Sequence, residues 1–388
     1  MDVGNIAELN TFLVLDAIRA RGAATRSQLG RELGLSDASI SRIVKRLLAS
    51  GIIDEAPGAT AIRGRTPSIL RFVGPVGGVI AVDLGGTLCR GALADLAGST
   101  VAEDFRSAGE GPDAAASLLG CVAALREAAG GLGMPVRAVV VGIPALIDPV
   151  SGLATAGPNV HWQGFDLLDR LRRELAEPFE VDNDVNLAAL GQAWRGAGRG
   201  VGSFVTMSLG TGVGGAVVLD GHLVRGRHNA GGEIGYLPMS RGRRASLEDV
   251  VSGRALHARA AALLAEGVES SLEAATFEVA DLFAAAAGGD LLGRTVVDRL
   301  VGDVAMAVAA VAAVVDPERV ILDGSIGRAL EPWLPAVRDA VAAQVFAAPE
   351  VVVSDLGRDA TITGAVARGL AVVSELDAPT PLSRLRKG

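Results

Sequence analysis

Asp83-Leu84-Gly85-Gly86-Thr87, Leu209-Gly210-Thr211-Gly212 and Asp323-Gly324 each stand where an apolar run ends. Bare glycine backbone at a strand end offers N–H groups to phosphate oxygens, and Asp83 is placed to hold a metal-bound water. Three such turns, each closing a β-run, predict two α/β lobes gripping a nucleotide; the first, taken alone, is equally a plain hairpin turn. The pattern G-x-x-x-x-G-K-[ST] does not occur, and the only lysines are Lys45 and Lys387. Gly157-Pro158-Asn159 presents an amide able to donate to and accept from a sugar hydroxyl. Asn183-Asp184 ends a strand and opens a helix, where a carboxylate is stabilised as the anion. Asp184 is there either a general base for a sugar hydroxyl, oriented by Asn183, or the helix N-cap. Glu233, framed by Gly231, Gly232 and Gly235, either binds hydroxyls or lies in a surface turn.

A second, basic chemistry lies near the start of the chain. Ser36, Ser39 and Ser41 are small polar residues suited to base edges, and Arg42, Lys45 and Arg46 can bind bases or phosphates. The elements that must position them are legible. An amphipathic helix is expected over residues 5–21, with Leu9, Leu13, Ala17 and Ile18 on one side. Thr25-Arg26-Ser27-Gln28 reads as a capping box for a helix to Leu33. Gly34 breaks it, and Ser36 caps a third helix running to about Ser50, whose apolar stripe is Ile40, Ile43, Val44, Leu47 and Leu48. Two short helices joined by a glycine turn are the helix-turn-helix layout. Ile52-Ile53 and Ile69-Leu70-Arg71-Phe72 form strands around Arg63-Gly64-Arg65, a wing tip with arginines placed for the minor groove or the DNA backbone. The alternative is a three-helix protein-interaction cap with a solvated basic face.

Charge follows the same division. The net charge of −8 looks wrong for a DNA binder, but residues 1–75 hold ten Lys and Arg against seven Asp and Glu, a balance of +3, which leaves −11 on the remainder. At 388 residues and 49% hydrophobic content the chain has material for two or three domains with real cores, which excludes wholesale disorder. Cys89 and Cys121 form no metal-type spacing and read as buried core residues. The N-terminal apolar run stops at Asp16, unlike a signal peptide. The twelve-residue run Val304 to Val315 is too short for a bilayer and reads as a buried helix. A soluble cytoplasmic protein without a membrane partner is expected.

Together the glycine, amide and carboxylate clusters resemble those of the ROK family (repressors, open reading frames and kinases). Asp83 to Thr87 resembles its first phosphate loop, Leu209 to Gly212 its second, and Leu322-Asp323-Gly324 its adenosine-side turn. Gly157-Pro158-Asn159, Asn183-Asp184 and Gly232-Glu233-Ile234-Gly235 resemble its sugar-binding motifs, and Leu247-Glu248 the start of a further one. The winged helix resembles that of the repressor branch, with its xylose- and N-acetylglucosamine-type regulators. The resemblance implies an α/β, two-lobed sugar-kinase/actin-like (ASKHA) body behind an N-terminal winged helix-turn-helix. Expected boundaries are 1–75 for the head, 76–184 with about 364–380 for the first lobe, and 185–363 for the second, with a hinge at Gly74 to Gly78 and a final helix from Gly364 to about Glu375.

The resemblance also implies nucleotide contacts at Asp83, Gly85, Gly86, Thr87, Gly210, Thr211, Gly212 and Gly324. Sugar contacts are implied at Asn159, Asn183, Asp184, Glu233, Tyr236 and Glu248. Most of the family carries His, then a Cys-x-Cys-Gly-x-x-Gly-Cys zinc loop; here Tyr236 takes the His position, and Met239, Arg241 and Ser246 take those of the cysteines, so no structural zinc is expected. The function implied is a sugar-responsive repressor of carbohydrate metabolism. It would bind a double-stranded operator as a homodimer or dimer of dimers, take a sugar or sugar-phosphate effector and need no cofactor. The alternatives are an ATP-dependent sugar kinase using MgATP with Asp184 as base, and a bifunctional kinase-regulator.

Overall fold

The computed structural model describes residues 10–11, 13–15, 17–18, 21–49, 51–57, 68–73, 77–109, 112–148, 154–156, 167–239, 245–272 and 277–376. Asn159, Arg63, Arg65, Arg241 and the hinge residues 74–76 lie outside them. Among the described residues no helix is long and apolar enough to cross a membrane.

In the head, helical residues between 10 and 21 bury Val14, Leu15, Ala17 and Ile18. Leu13, expected on that inner face, is only half-buried, and Leu9 lies outside the described residues. The Thr25 hydroxyl accepts from the Gln28 N–H, and the Gln28 side chain accepts from the Thr25 N–H at 2.8 Å, the reciprocal cap that opens helix Arg26–Leu33. Ser36 Oγ accepts from the Ser39 N–H at 3.2 Å and opens helix Asp37–Ala49, which buries Ile40, Ile43, Val44 and Leu47. Strand Ile53–Pro57 pairs antiparallel with Ser68–Phe72. The latter also pairs with the two-residue strand Ala23–Ala24, which no local pattern announces. A forked hydrogen bond from Arg26 to Glu55, with one arm at 2.9 Å, ties the start of helix Arg26–Leu33 to the first strand of the wing.

The chain divides into two compact units, Met1–Leu190 with Thr361–Gly388, and Gly191–Ala360. Each contains a five-stranded sheet of the same topology. In the first, Gly78–Leu84, Leu88–Asp95 and Thr100–Ser107 form an antiparallel meander, and Val136–Ile143 and then Phe179–Asn183 add in parallel on the other side of Gly78–Leu84. In the second, Phe204–Leu209, Val213–Leu219 and His222–Leu223 form the meander, and Arg319–Asp323 and Glu350–Val353 add in parallel beyond Phe204–Leu209. The Asp83–Thr87 and Gly210–Gly212 segments therefore occupy equivalent places, the first hairpin turn of each sheet. This duplicated α/β arrangement is that of the sugar-kinase/actin-like class.

Central strands buried on both faces need cover on both. Helix Pro112–Gly131 packs Leu118, Val122 and Leu125 against Ile80, Val82 and Leu93. Helix Ala360–Leu376 lies on the opposite face, where a Cβ on Gly369 would stand 3.1 Å from Val79 Cβ. Arg368 of that helix holds Glu180 at 2.6 and 2.7 Å. In the second unit, helix Leu291–Val315 sends Val296, Leu300, Val304, Val308 and Val311 into the core. The Val304–Val315 run is not buried all round, as the sequence suggests: Met306 and Val314 face outward. The hinge also ends sooner than the glycine pattern suggests. Gly78 begins the first body strand, and its N–H donates to Pro135 O at 2.9 Å.

The Glu55 carboxyl is held down at about 2, from 4.5, chiefly by the Arg26 hydrogen bond. A depressed carboxylate adds stability above its ordinary range and loses it as pH falls through the folded value. Arg26→Ala is expected to destabilise the head at pH 7 by at most about 1 kcal/mol, a difference that closes as pH falls from 4.5 toward 2; hydrogen exchange of strands Ile53–Pro57 and Ser68–Phe72 in the full chain reads it.

Candidate effector site and nucleic-acid interface

On helix Asp37–Ala49 the inward residues leave Ser41, Arg42 and Lys45 exposed and Ser39 and Arg46 half-buried; Ser36 is exposed just before it. Ser36 and Ser39 are engaged with each other, their hydroxyls 3.0 Å apart, so Ser36 serves first as the cap. The cations of the head fall into two groups. Arg21 pairs with Glu32, Arg26 with Glu55, and Arg31 donates to Ser27 O. Arg42, Lys45 and Arg46, and exposed Arg71 on strand Ser68–Phe72, have no ion-pair partner among the described residues. Desolvating them against an anion breaks nothing inside the protein.

In the first unit, the turn after strand Gly78–Leu84 is closed by the Gly85 N–H donating to Leu88 O at 2.9 Å, and Thr87 O accepts from the Ala108 N–H. Among the described residues no acceptor meets the N–H of Gly86 or Thr87. Asp83 lies beside this turn, opposite Arg90 in register. Burial pushes its carboxyl from 3.8 up to about 6, and the Arg90 guanidinium opposes only part of that. Arg90 itself is turned to Glu103 at 2.7 Å.

Strand Phe179–Asn183 runs into helix Asp184–Arg195 without a loop. Asn183 Oδ1 accepts from the N–H groups of Val185 at 2.9 Å and Asn186 at 3.2 Å, and its Nδ2 reaches Ala145 O. The expectation that Asn183 orients Asp184 is thus corrected: its amide caps the helix, and Asp184 occupies the first helical position. Asp184 Oδ1 accepts from the Val185 N–H at 2.9 Å, and its own carbonyl accepts from Thr361 Oγ1. Buried Asp182 braces the junction by accepting from the Asn183 N–H and from Asn186 Nδ2. Asp182 and Asn186 escaped the sequence reading, although a carboxylate and an amide four apart across a strand-to-helix junction are a usable signal.

In the second unit, the Gly210 N–H donates to Gly212 O and Gly210 O accepts from the Gly253 N–H, while no described acceptor meets the N–H of Thr211 or Gly212. The third glycine is not a hairpin turn. Gly324 is the first residue of helix Gly324–Ala329, at φ 78°, and a Cβ there would strike Leu209 O. A Cβ on Gly210 would lie 3.6 Å from Ser325 Oγ, so Gly210 and Gly324 are brought to one place. Below them, buried Gln192 donates to Ser354 Oγ at 2.6 Å, and burial raises the Asp323 carboxyl against the pull of the Gly324 N–H, Arg328 and Ser354.

Glu233, Tyr236 and Glu248 also come together. The segment around Gly232, at φ 93°, lies flat on strand Val213–Leu219, with Gly215 O 2.7 Å from where a Cβ would stand. Glu248 opens helix Glu248–Val251 and accepts from the Val213 N–H at 3.1 Å. Burial and then the Glu248 charge raise the Glu233 carboxyl; burial and the two carboxylates raise the phenol of Tyr236, a residue that is 62% exposed overall. Past Tyr236, the Met239 N–H donates to Ala245 O, Pro238 bridges Ser246, and the Ser246 N–H and hydroxyl both donate to Asp249 at 2.9 and 2.8 Å. These bonds fasten the base of the loop, and phenol, thioether, guanidinium and hydroxyl groups do not make a zinc donor set. Among the described residues no group of three or more His, Cys, Asp or Glu is arranged to hold a metal ion.

Duplicated sheets with glycine-bearing first turns, behind a winged helix with free cations, define a regulator-like member of the sugar-kinase class. The chain belongs to the ROK family, whose model matches residues 79–372, and a MarR family model matches residues 8–61. A xylose repressor of Caldicellulosiruptor bescii is 25% identical over 382 residues, 93% of this chain and 95% of the relative. A glucokinase of Thermotoga maritima is 35% identical over 248 residues, 58% of this chain and 77% of the relative. A solved ROK family transcriptional regulator, a homologue of the E. coli MLC protein, superposes at TM-score 0.78 with 25% identity, covering 96% of this chain and 98% of that one.

A carboxyl raised from 3.8 to about 6 stabilises the fold fully below its unfolded value, and that contribution is lost as pH rises through 6. Asp83→Asn is expected to raise the urea midpoint at pH 7.5 and to flatten the pH dependence of stability between about 4 and 6, followed by unfolding titrations of both proteins across that window.

Proposed function

We propose that the chain is a sugar-responsive DNA-binding repressor of carbohydrate metabolism, acting in the cytoplasm as a homodimer on a double-stranded operator. The observation that carries this reading is the set Arg42, Lys45 and Arg46, without ion-pair partners among the described residues, on one helix of a winged-helix head in which Arg21, Arg26 and Arg31 are internally bound. A kinase has no evident use for such a head. Ser39, Ser41, Arg42 and Arg46 would face bases and phosphates, with Ser36 at the helix start, Lys45 on the backbone and Arg63 and Arg65 at the wing tip. The effector is a sugar or sugar phosphate held by Asn159, Asn183, Asp184, Glu233, Tyr236 and Glu248. Tyr236 offers a hydroxyl where relatives of the family carry a metal-held imidazole, so its selectivity differs from theirs. Regulation needs no cofactor and no structural zinc. The effector acts by binding the DNA-competent and incompetent states with different affinity.

A specific gel shift on the DNA upstream of its own gene, at fixed salt, is expected to be abolished or enhanced by one sugar of a panel. Arg42→Ala should weaken it about tenfold or more, or reduce the slope of affinity against salt by about one ion. No shift with any sugar, and none on a genomic selection of fragments, would sink the regulator.

A second reading is favoured by Asp83 and the four unengaged N–H groups at Gly86, Thr87, Thr211 and Gly212. MgATP, held by Asp83, Gly85, Gly86, Thr87, Gly210, Thr211, Gly212 and Gly324, would supply a phosphoryl group to a sugar. Asp184 would take the hydroxyl proton, and the glycine turns would donate to the transferred charge. Sugar-dependent ADP release that disappears in Asp184→Asn is the outcome this reading, alone or joined to the first, requires; no turnover across a hexose panel removes it.

A further inference from the structure

The glycine turn of the second unit already touches an anion of the protein itself. Val213 follows Gly210, Thr211 and Gly212, and its N–H donates to Glu248 Oε2 at 3.1 Å. The N–H groups of Thr211 and Gly212, just before it, meet no acceptor among the described residues. Of three consecutive donors, the last is taken by a carboxylate and the first two are left for a ligand. The stretch that begins with Glu248 also holds the start of the turn. Ser252 caps helix Gly253–Ala265, and the Gly253 N–H donates to Gly210 O at 2.9 Å. The carbonyl of Val213 is held as well, because Gly235 packs so closely on it that a Cβ there would stand 2.3 Å from Val213 O. Both backbone polar groups of buried Val213 therefore meet the segments that carry Glu233, Tyr236 and Glu248. The field of Glu248 spans that cluster too: after burial, its charge raises the Glu233 carboxyl and adds to the rise of the Tyr236 phenol.

We propose that Glu248 is an internal anion that restrains this turn: its charge opposes a phosphate at the Thr211 and Gly212 N–H groups until the hydroxyls of a sugar donate to it. One carboxylate then serves two ligands of the same unit. A phosphate arriving at Thr211 and Gly212 meets a like charge one residue along the backbone, half-buried and therefore weakly screened. Hydroxyl dipoles aimed at the carboxylate offset part of that field. The sugar thus makes room electrostatically for the phosphate, and by linkage the phosphate tightens the sugar by the same factor. Val213 adds a mechanical route, since any shift of Glu248 or of Gly235 on sugar binding is passed to the residue that closes the turn. The inference rests on the reading of Glu233, Tyr236 and Glu248 as effector contacts, and adds that the effector controls a second, phosphate-bearing ligand.

The test is calorimetric titration of the full chain with AMP-PNP and, separately, with inorganic triphosphate, each with and without glucose, xylose or N-acetylglucosamine; gel shifts are run apart from it. One sugar is expected to tighten wild-type binding of a phosphate probe at least about fivefold, and the probe that responds tells nucleotide from bare polyphosphate. Glu248→Gln keeps an acceptor for the Val213 N–H and drops the charge. It should bind that probe about fivefold or more tightly than wild type without sugar, a gain that a damaged fold does not produce, and should lose the response to sugar. Glu266→Gln removes an equal charge at the far end of helix Gly253–Ala265, about 20 Å along it, and should match wild type. A wild type that binds neither probe, or binds them alike with and without every sugar, overturns the inference, as does a Glu248→Gln variant no tighter than wild type. A sugar that alters the gel shift while leaving both probes untouched refutes the coupling and leaves the regulator standing; a probe tightened by sugar in a protein that shifts no DNA upholds the coupling and removes the regulator.

Discussion

At the end of strand Phe204–Leu209 the carbonyl of Leu209 faces the Cα of Gly324 with no room for a methyl group between them. That approach lets strand Arg319–Asp323 run directly into helix Gly324–Ala329, and it brings Ser325 beside Gly210. Any other residue at 324 would have to move the helix start or open the sheet, and either shift displaces the turn at Gly210–Gly212. The rest of the second unit is arranged around the same limit. Gln192, Ser354 and Asp323 form a buried polar brace below it, and Gly253 begins its helix by donating to Gly210 O. The first unit solves the equivalent problem with a side chain: Asn183 caps its helix, and Asp182 with Asn186 locks the cap.

What was legible in the sequence is what is local. The cap Thr25–Gln28 and the cap at Ser36 are decided by residues three apart, the apolar strand runs before Gly85 and Gly210 by their own composition, and all stand where the pattern puts them. The glycine turns were legible as places but not as shapes. Gly324 reads as a turn because a glycine after a strand usually lies in one, and the close approach of distant Leu209, which leaves no room for a Cβ, is invisible in the local pattern. Ala23–Ala24 is a strand solely because Leu70 and Arg71 lie beside it. The run Val304–Val315 has no polar face from which its outward side can be told. Asn183 looked like a partner for Asp184 because the two are adjacent; which of them caps the helix depends on backbone direction at the junction.

Charge in the head is apportioned by engagement rather than by number. A balance of +3 over residues 1–75 is modest for a nucleic-acid binder. Once Arg21 and Arg26 are given to their carboxylates, the field that remains comes largely from one helix face and the wing. The pairs that remove cations from the field also set geometry, since the Arg26–Glu55 fork fixes the helix against the strand from which the wing extends.

Helix Ala360–Leu376 joins residues nearly two hundred and nearly three hundred positions away, at Glu180 and Val79. During synthesis the head, whose contacts are short in sequence, can close early, whereas the first body sheet keeps one face bare until the second unit has been made. Contacts of such separation form slowly and leave apolar surface open meanwhile. The nascent chain thus passes through an interval with a folded head and an unfinished body. A chaperone that shields the Val79 face would act in that interval, and a ribosome stalled before codon 360 would release a protein able to fold its head but not to sense.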